Sequence, residues 1–153
     1  MGRHDPKGSR FEFLIKRIDD ALAAGYYVEA MALTYSLFEE RTYKLLERLE
    51  IHRNNSDKLY QCLEYFRRNV VNCTLTVTPS TCTQAELLNW LKAEFLDTNL
   101  IDDIQNWRNE RNTVTHDLAK QDIDYSALKT VAQKGRDYFR KYTALIMRLK
   151  KMV

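Results

Sequence analysis

The sequence predicts an all-α fold, an up-down bundle of five to six helices. The first observation is that the 153 residues include only 4 Gly and 2 Pro, whereas all-β architectures need turn residues about every 8–12 positions. The second is that apolar residues recur with the roughly 3.6-residue period of amphipathic helices through most of the chain. The third is that this length and a hydrophobic content of 44% suit one globular domain. The scarcity of glycine also excludes Walker and G-x-G-x-x-G phosphate loops.

The first half of the chain predicts a tail followed by three helices. The opening residues are polar and hold half of all the glycines and prolines, so they predict a flexible N-terminal tail before a single domain over 10–153. The second helix is long enough for an arm of an antiparallel bundle. The predicted elements are the tail 1–9, a helix over 10–23 capped by Ser9, a helix over Tyr27–Ile51, and a helix over 57–69 capped by Asn55 or Ser56.

The second half predicts an irregular segment and then three more helices. Residues 70–85 carry no charge and are rich in Thr, which fits a short hairpin or an ordered loop. Thr83 and Glu86 have the spacing of a capping box. The predicted helices are 84–96, a helix from Thr98 or Asn99 to about Leu118, and a final amphipathic helix capped by Asp124.

The net charge of +3 conceals an uneven distribution. From Lys129 onward, eight Lys or Arg residues accompany one Asp, so this segment carries +7 and residues 1–128 sum to −4. A basic last helix can meet a polyanion. A solvated helix face produces the same pattern, so charge alone leaves both interpretations open.

Several classes of site and location are excluded by composition. Cys62, Cys73 and Cys82 form an odd set without C-x-x-C spacing, and the three histidines are scattered. This argues against a disulfide framework and against a zinc site, and we expect no metal and no cofactor. No apolar run reaches the length of a membrane span and no secretory segment opens the chain, so we expect no membrane association and a cytoplasmic location.

Polar side chains are concentrated in residues 107–117, late in the penultimate helix. Asn112 and His116 are four residues apart and share one helix face, and Arg108 precedes Arg111 by about one turn. A guanidinium binds phosphate oxygens through a fixed fork of donors, and imidazole exchanges protons near neutral pH. These groups favour chemistry on phosphodiesters. The same spacing also fits a solvent-exposed arginine and a histidine at a helix C-terminus.

The run Arg111-Asn112, three residues and His116 resembles the motif of HEPN domains, an Arg and a His separated by four to six residues, often with a polar residue after the Arg. The motif lies late in the penultimate long helix, and a long amphipathic helix closes the chain. The segment Tyr27–Leu49 resembles the long second helix of such domains. The resemblance covers roughly residues 10–150.

The resemblance implies a fold, an activity and partners. HEPN domains are typically homodimers in which the two motifs meet across a cleft, and many are metal-independent endoribonucleases of toxin–antitoxin, phage-defence and CRISPR-linked systems. It therefore implies RNA as the substrate, a homodimer formed through the motif-bearing face, and products with a 2′,3′-cyclic phosphate. His116 would transfer the proton, Arg111 would bind the scissile phosphate, and Asn112 would orient either one. We also expect four further cations to contact the RNA backbone: Arg108, Arg136, Arg140 and Lys141.

One position departs from part of the family. In toxins paired with a minimal nucleotidyltransferase antitoxin, a Tyr two residues after the His receives the transferred nucleotide, whereas this chain has Leu118. Silencing by modification at that position is therefore not expected. An antitoxin or nucleotidyltransferase partner remains open.

Two alternative functions also remain open. One is a non-catalytic HEPN-like module that binds nucleotide or RNA or scaffolds a partner protein. The other is a structural helical dimer in which Arg111 and His116 make interface hydrogen bonds. Among other polar and aromatic candidates, Glu39 and Glu40 are predicted to be exposed helical carboxylates, and Tyr138 and Tyr142 to be packing residues rather than base-stacking ones.

Overall fold

A computed structural model of the chain describes residues 6–120 and 124–153, with side chains from Glu12 onward. These ranges contain six α-helices, one π-helical segment and no strand, which confirms the predicted all-α bundle. The elements are α1 (Pro6–Ala24), α2 (Tyr27–Arg48), α3 (Leu59–Val71), α4 (Gln84–Leu91), the π-helical segment Lys92–Asp97, α5 (Leu100–Ala119) and α6 (Tyr125–Met152).

The start of α1 differs from the prediction. The helix begins at Pro6 rather than at residue 10, so residues 6–9 are helical and Ser9 lies inside the helix rather than at its cap. Proline is well suited to the first turn of a helix because its fixed φ is helical and its missing N–H has no helical partner there. Residues 1–5 lie outside the described residues.

The end of α2 also differs, since the helix stops at Arg48 rather than Ile51. Glu50 takes a left-handed conformation with φ of 56°. Its N–H donates to the carbonyl of Glu47 at 3.2 Å, and the N–H of Ile51 donates to that of Leu46 at 2.9 Å. These two bonds form a Schellman motif, which normally places glycine at the left-handed position.

Local capping chemistry was predicted correctly at the starts of α4 and α6 and missed at the starts of α1 and α3. Thr83 accepts a hydrogen bond from the N–H of Glu86, whose carboxylate accepts one from the N–H of Thr83, both at 3.1 Å. Asp124 accepts from the N–H groups of Ser126 and Ala127 and caps α6. The residue before α5 is Asn99, one of the two predicted, and its side chain makes no capping hydrogen bond. The residue before α3 is Lys58 rather than Asn55 or Ser56.

The segment between α3 and α4 is a loop without helix or strand, which confirms its predicted irregularity. Leu75 and Val77 are nevertheless buried, and the N–H of Ser80 donates to the carbonyl of Met152 at 2.8 Å. The π-helical segment after α4 was not predicted. Leu91, just before this segment, and Phe95 within it are both fully buried.

The core is centred on the aromatic face of α2. The Phe38 ring lies 5.3 Å from those of Trp107 and Phe139 and 5.8 Å from that of Tyr142, centre to centre. The Tyr142 hydroxyl and the Thr42 hydroxyl share a buried hydrogen bond of 2.8 Å, and burial raises the pKa of Tyr142 above the usual phenol range. Tyr142 is therefore a packing residue, as predicted. These contacts bring α5 and α6 together against α2.

Candidate functional site

A close contact between α5 and α6 fixes the rotation of the helix that carries the Arg–His motif. The indole N–H of Trp107 donates to the carbonyl of Val131 at 2.8 Å. A Cβ atom at Gly135 would lie 2.4 Å from the Trp107 ring, so only glycine lets the indole lie against the backbone of α6. The side chains that follow Trp107 on α5 take their directions from this contact.

The motif residues point in different directions around α5. At about 100° per residue, Arg111 lies roughly 40° from Trp107, Asn112 roughly 140° and His116 roughly 180°. Arg111 is correspondingly half-buried at the edge of the packed face, whereas Asn112 and His116 are exposed. Asn112 and His116 share one face, as predicted.

Arg111 is held by an aromatic ring and an amide. Its guanidinium carbon lies 4.4 Å from the centre of the Tyr35 ring on α2, and Nη1 donates to Oδ1 of Asn112 at 3.3 Å. Among the ion pairs of the described residues, none includes Arg111. The guanidinium is thus positioned without a directly paired carboxylate.

Tyr35 supports this guanidinium as a neutral ring. Burial and then the nearby Glu39 carboxylate raise the pKa of Tyr35, while Arg108 and Arg111 act in the opposite direction with smaller effect. Glu39 is half-buried and accepts a hydrogen bond from the Tyr43 hydroxyl at 3.2 Å. The predicted exposure of Glu39 is therefore only partly right, and this carboxylate belongs to the surroundings of the motif.

Arg111 and His116 do not contact each other. Arg111 is directed to Tyr35 and Asn112, and in the described part of the chain the His116 imidazole makes no hydrogen bond or ion pair. A single chain therefore presents the guanidinium and the imidazole on separate sides of α5. Leu118, two residues after His116, is half-buried and packs against the core.

Arg108 borders a groove between α3 and α5. Its Nε donates to Oε1 of Gln105 at 3.3 Å, and its guanidinium carbon lies 5.1 Å from the centre of the Tyr60 ring. The Gln105 amide donates to the carbonyl of Tyr60 at 3.1 Å. The groove has a volume of about 600 Å³ and is lined by Tyr60, Glu64, Arg67, Asp102, Gln105, Asn106 and Arg108.

The three predicted RNA-binding cations of α6 have unequal surroundings. Arg136 is paired with Asp19 of α1 through Nε at 2.7 Å and Nη2 at 3.2 Å, and these hydrogen bonds raise the pKa of its guanidinium. Arg140 and Lys141 are exposed, and neither takes part in an ion pair of the described residues. A phosphate would compete with Asp19 for Arg136 but meets no such competitor at the other two.

Two tyrosines near the motif were not singled out from the sequence. Tyr35 and Tyr60 lie on different helices, and each becomes informative only when α5 places an arginine over its ring. The sequence offers one signal for the side of α2 that faces the motif, a polar residue every four positions at Tyr35, Glu39 and Tyr43.

Comparisons with protein-family models, curated proteins and solved structures returned no significant match. The resemblance to HEPN domains therefore rests on the motif and on the order of the helices. No helix within 6–120 and 124–153 has the length and apolar character that crossing a bilayer requires. The same residues contain no group of three or more His, Cys, Asp or Glu side chains placed to hold a metal ion.

Proposed function

We propose that the protein is a metal-independent endoribonuclease of the HEPN type that works in a defence or toxin–antitoxin setting. The observation that carries this proposal is the placement of the Arg111 guanidinium, which is held by Tyr35 and Asn112 and forms no ion pair with a carboxylate of the described residues. An arginine that is held in place but has no counter-ion is suited to binding a phosphate dianion or a phosphodiester. The exposed His116 on the same helix supplies a group that exchanges protons near neutral pH.

The reaction is an internal displacement at phosphorus. His116 accepts the proton of a ribose 2′-hydroxyl, the 2′-oxygen forms a bond to phosphorus, and the bond from phosphorus to the 5′-oxygen breaks. A general acid, supplied by the motif of the second protomer, donates a proton to the departing 5′-oxygen. The products are a 2′,3′-cyclic phosphate and a 5′-hydroxyl. Arg111 stabilises the negative charge on the phosphoryl oxygens, and Asn112 orients the phosphate beside it.

A homodimer through the motif-bearing face resolves the separation of Arg111 and His116. Because these side chains leave α5 about 140° apart, one chain does not direct both at one phosphate. A twofold arrangement brings the Arg111 of one protomer near the His116 of its partner, and a symmetric pair of motifs also supplies both a base and an acid. The exposed Arg140 and Lys141 would then contribute to binding of the RNA backbone.

An RNase assay in EDTA tests the proposal. Single-stranded RNA should be cleaved to 2′,3′-cyclic phosphate products, and His116→Ala or Arg111→Ala should lower the rate by about 10²–10⁴-fold. The control for His116 is His52→Ala, because His52 is an exposed histidine outside the motif. The control for Arg111 is Arg53→Ala, because the guanidinium carbon of Arg53 also lies over a tyrosine of α2, 3.8 Å from the centre of the Tyr43 ring. Equal activity of all four variants would refute the assignment.

A non-catalytic RNA-binding or scaffolding module is the second candidate. The observation that favours it is the separation of Arg111 from His116 within the chain. It predicts that the wild type binds RNA, that Arg111→Ala weakens binding, and that no cleavage product forms at any protein concentration that supports a dimer.

A further inference from the structure

We propose that the groove between α3 and α5 binds one nucleobase of the RNA and prefers bases with an exocyclic amino group, such as adenine and cytosine, over uracil. This inference rests on the proposed function, because it assigns a base subsite to the same substrate. The volume of about 600 Å³ falls within the range of small-molecule sites, about 300–1,000 Å³.

The groove lies in line with the motif along α5. Gln105, Arg108, Asn112 and His116 are spaced three or four residues apart and form one polar stripe on this helix. From Gln105 to His116 the stripe rises by about 16 Å at 1.5 Å per residue. A single strand bound at Arg111 and Asn112 can therefore follow α5 into the groove.

An aromatic ring is available in the groove for stacking. Tyr60 is 43% exposed, although large aromatic side chains are usually covered. Arg108 lies over the ring, and no ion pair within the described part of the chain holds it there. When Arg108 turns to a neighbouring phosphate, the ring face becomes free for a base, and base–aromatic stacking is a common source of affinity for single strands.

The charges of the groove favour a base over a phosphate. Arg67 pairs with Asp102, and its Nε lies 3.4 Å from a carboxylate oxygen of Glu64. Together with Arg108, the lining thus has two guanidinium groups and two carboxylates, so its formal charge is zero. A phosphate therefore finds no net positive charge in this lining.

The two carboxylates determine the preferred edge of the base. Arg67 contacts both carboxylates, and the Gln105 amide also donates to Glu64 at 3.5 Å. Because each carboxylate has about four lone-pair sites, acceptors remain on Glu64 and Asp102. Adenine and cytosine present an amino group that can donate to such an acceptor, whereas uracil presents a carbonyl oxygen at the corresponding position. That oxygen would be repelled by a carboxylate.

Binding of labelled 2′-O-methyl octanucleotides, which resist cleavage, tests the subsite by fluorescence anisotropy on the full chain. We expect oligo(A) and oligo(C) to bind about tenfold more tightly than oligo(U), the difference made by one charge-assisted hydrogen bond. Tyr60→Leu should weaken binding by about tenfold, while Tyr60→Phe should retain the affinity because it keeps the ring. Glu64→Gln should reduce the preference for oligo(A) and oligo(C) over oligo(U) from about tenfold to about twofold in affinity.

Arg108→Ala has a matched control in Arg148→Ala. Arg148 lies over the Trp90 ring at 5.4 Å, close to the 5.1 Å of Arg108 over Tyr60, but it is on α6 and outside the groove. We expect only Arg108→Ala to weaken RNA binding, with melting temperatures confirming that all variants are folded.

The outcomes separate this inference from the proposed function. Cleavage of RNA by the wild type with equal affinity for all three oligonucleotides overturns the base subsite and leaves the nuclease intact. An unchanged base preference in both Tyr60→Leu and Glu64→Gln overturns it equally. If the wild type neither binds nor cleaves RNA, the proposed function fails, and the subsite fails with it.

Discussion

The two halves of α5 differ sharply in the burial of their side chains. The first half contributes all of the fully buried residues of this helix, namely Leu100, Ile101, Ile104 and Trp107. The second half, from Arg108 to Ala119, has only half-buried or exposed residues and carries the motif. Packing energy and candidate chemistry are therefore divided along one rigid element, and substitutions in the two halves should have different consequences.

Trp107→Ala should have the largest effect on stability. It removes a fully buried indole from the contact with α6, together with the hydrogen bond that the indole N–H donates to the carbonyl of Val131, so we expect a loss of about 3–5 kcal/mol in the free energy of unfolding. Urea denaturation measures this loss. Trp107→Phe should cost less because it keeps most of the apolar volume. A loss below about 1 kcal/mol for the alanine variant would show that the first half of α5 does not anchor the helix.

Gly135→Ala tests the same contact from the other side. Alanine normally stabilises a helix interior by about 1 kcal/mol relative to glycine, but here the new Cβ would overlap the Trp107 ring. We expect a net loss of about 1–3 kcal/mol, as for other overpacked sites. Gln133→Ala, at an exposed position of the same helix, is the control and should be neutral. A stabilised Gly135→Ala variant would contradict the close approach.

Substitutions in the second half of α5 should barely change stability. Asn112 and His116 are exposed, so we expect alanine at either position to change the free energy of unfolding by no more than about 0.5 kcal/mol. The same urea titration measures it. A loss comparable to that of Gly135→Ala would mean that the imidazole or the amide is structural, and the division of α5 would then be false.

The smallest effect is expected at the start of α4 and depends on pH. Hydrogen bonds from the N–H and the hydroxyl of Thr83 lower the pKa of Glu86 below its ordinary value of 4.5. A depressed folded pKa adds stability above the unfolded pKa, and this contribution is lost as the pH falls through the folded pKa. Melting temperatures between about pH 6 and about pH 3 should therefore fall slightly more in the wild type than in Glu86→Gln. Identical pH profiles would contradict the capping box.

Local chemistry explains which parts of the fold could be predicted from the sequence. The caps at Thr83 and Asp124 depend only on residues two or three positions away, and both predictions are confirmed. The end of α2 was missed because Glu50 occupies the left-handed position that glycine usually marks. The π-helical segment after Leu91 carries no composition signal of its own.

Tertiary partners explain what the sequence could not predict about the candidate site. The pairing of Arg136 with Asp19 joins residues 117 positions apart, so the sequence showed only a free cation on a basic helix. The ring under Arg111 likewise comes from another helix. The exposure of Asn112 and His116 followed from helix geometry, whereas the turn of Arg111 toward Tyr35 required the fold.

The stacking of Arg111 on Tyr35 has an entropic consequence. A free arginine side chain carries about 2 kcal/mol of rotamer entropy, which is lost when it is fixed on a bound anion. Arg111 is already restricted between the Tyr35 ring and the Asn112 amide, so part of this freedom is given up when the protein folds. An anion that binds at this guanidinium thus meets a smaller ordering cost than it would at the exposed Arg140 or Lys141.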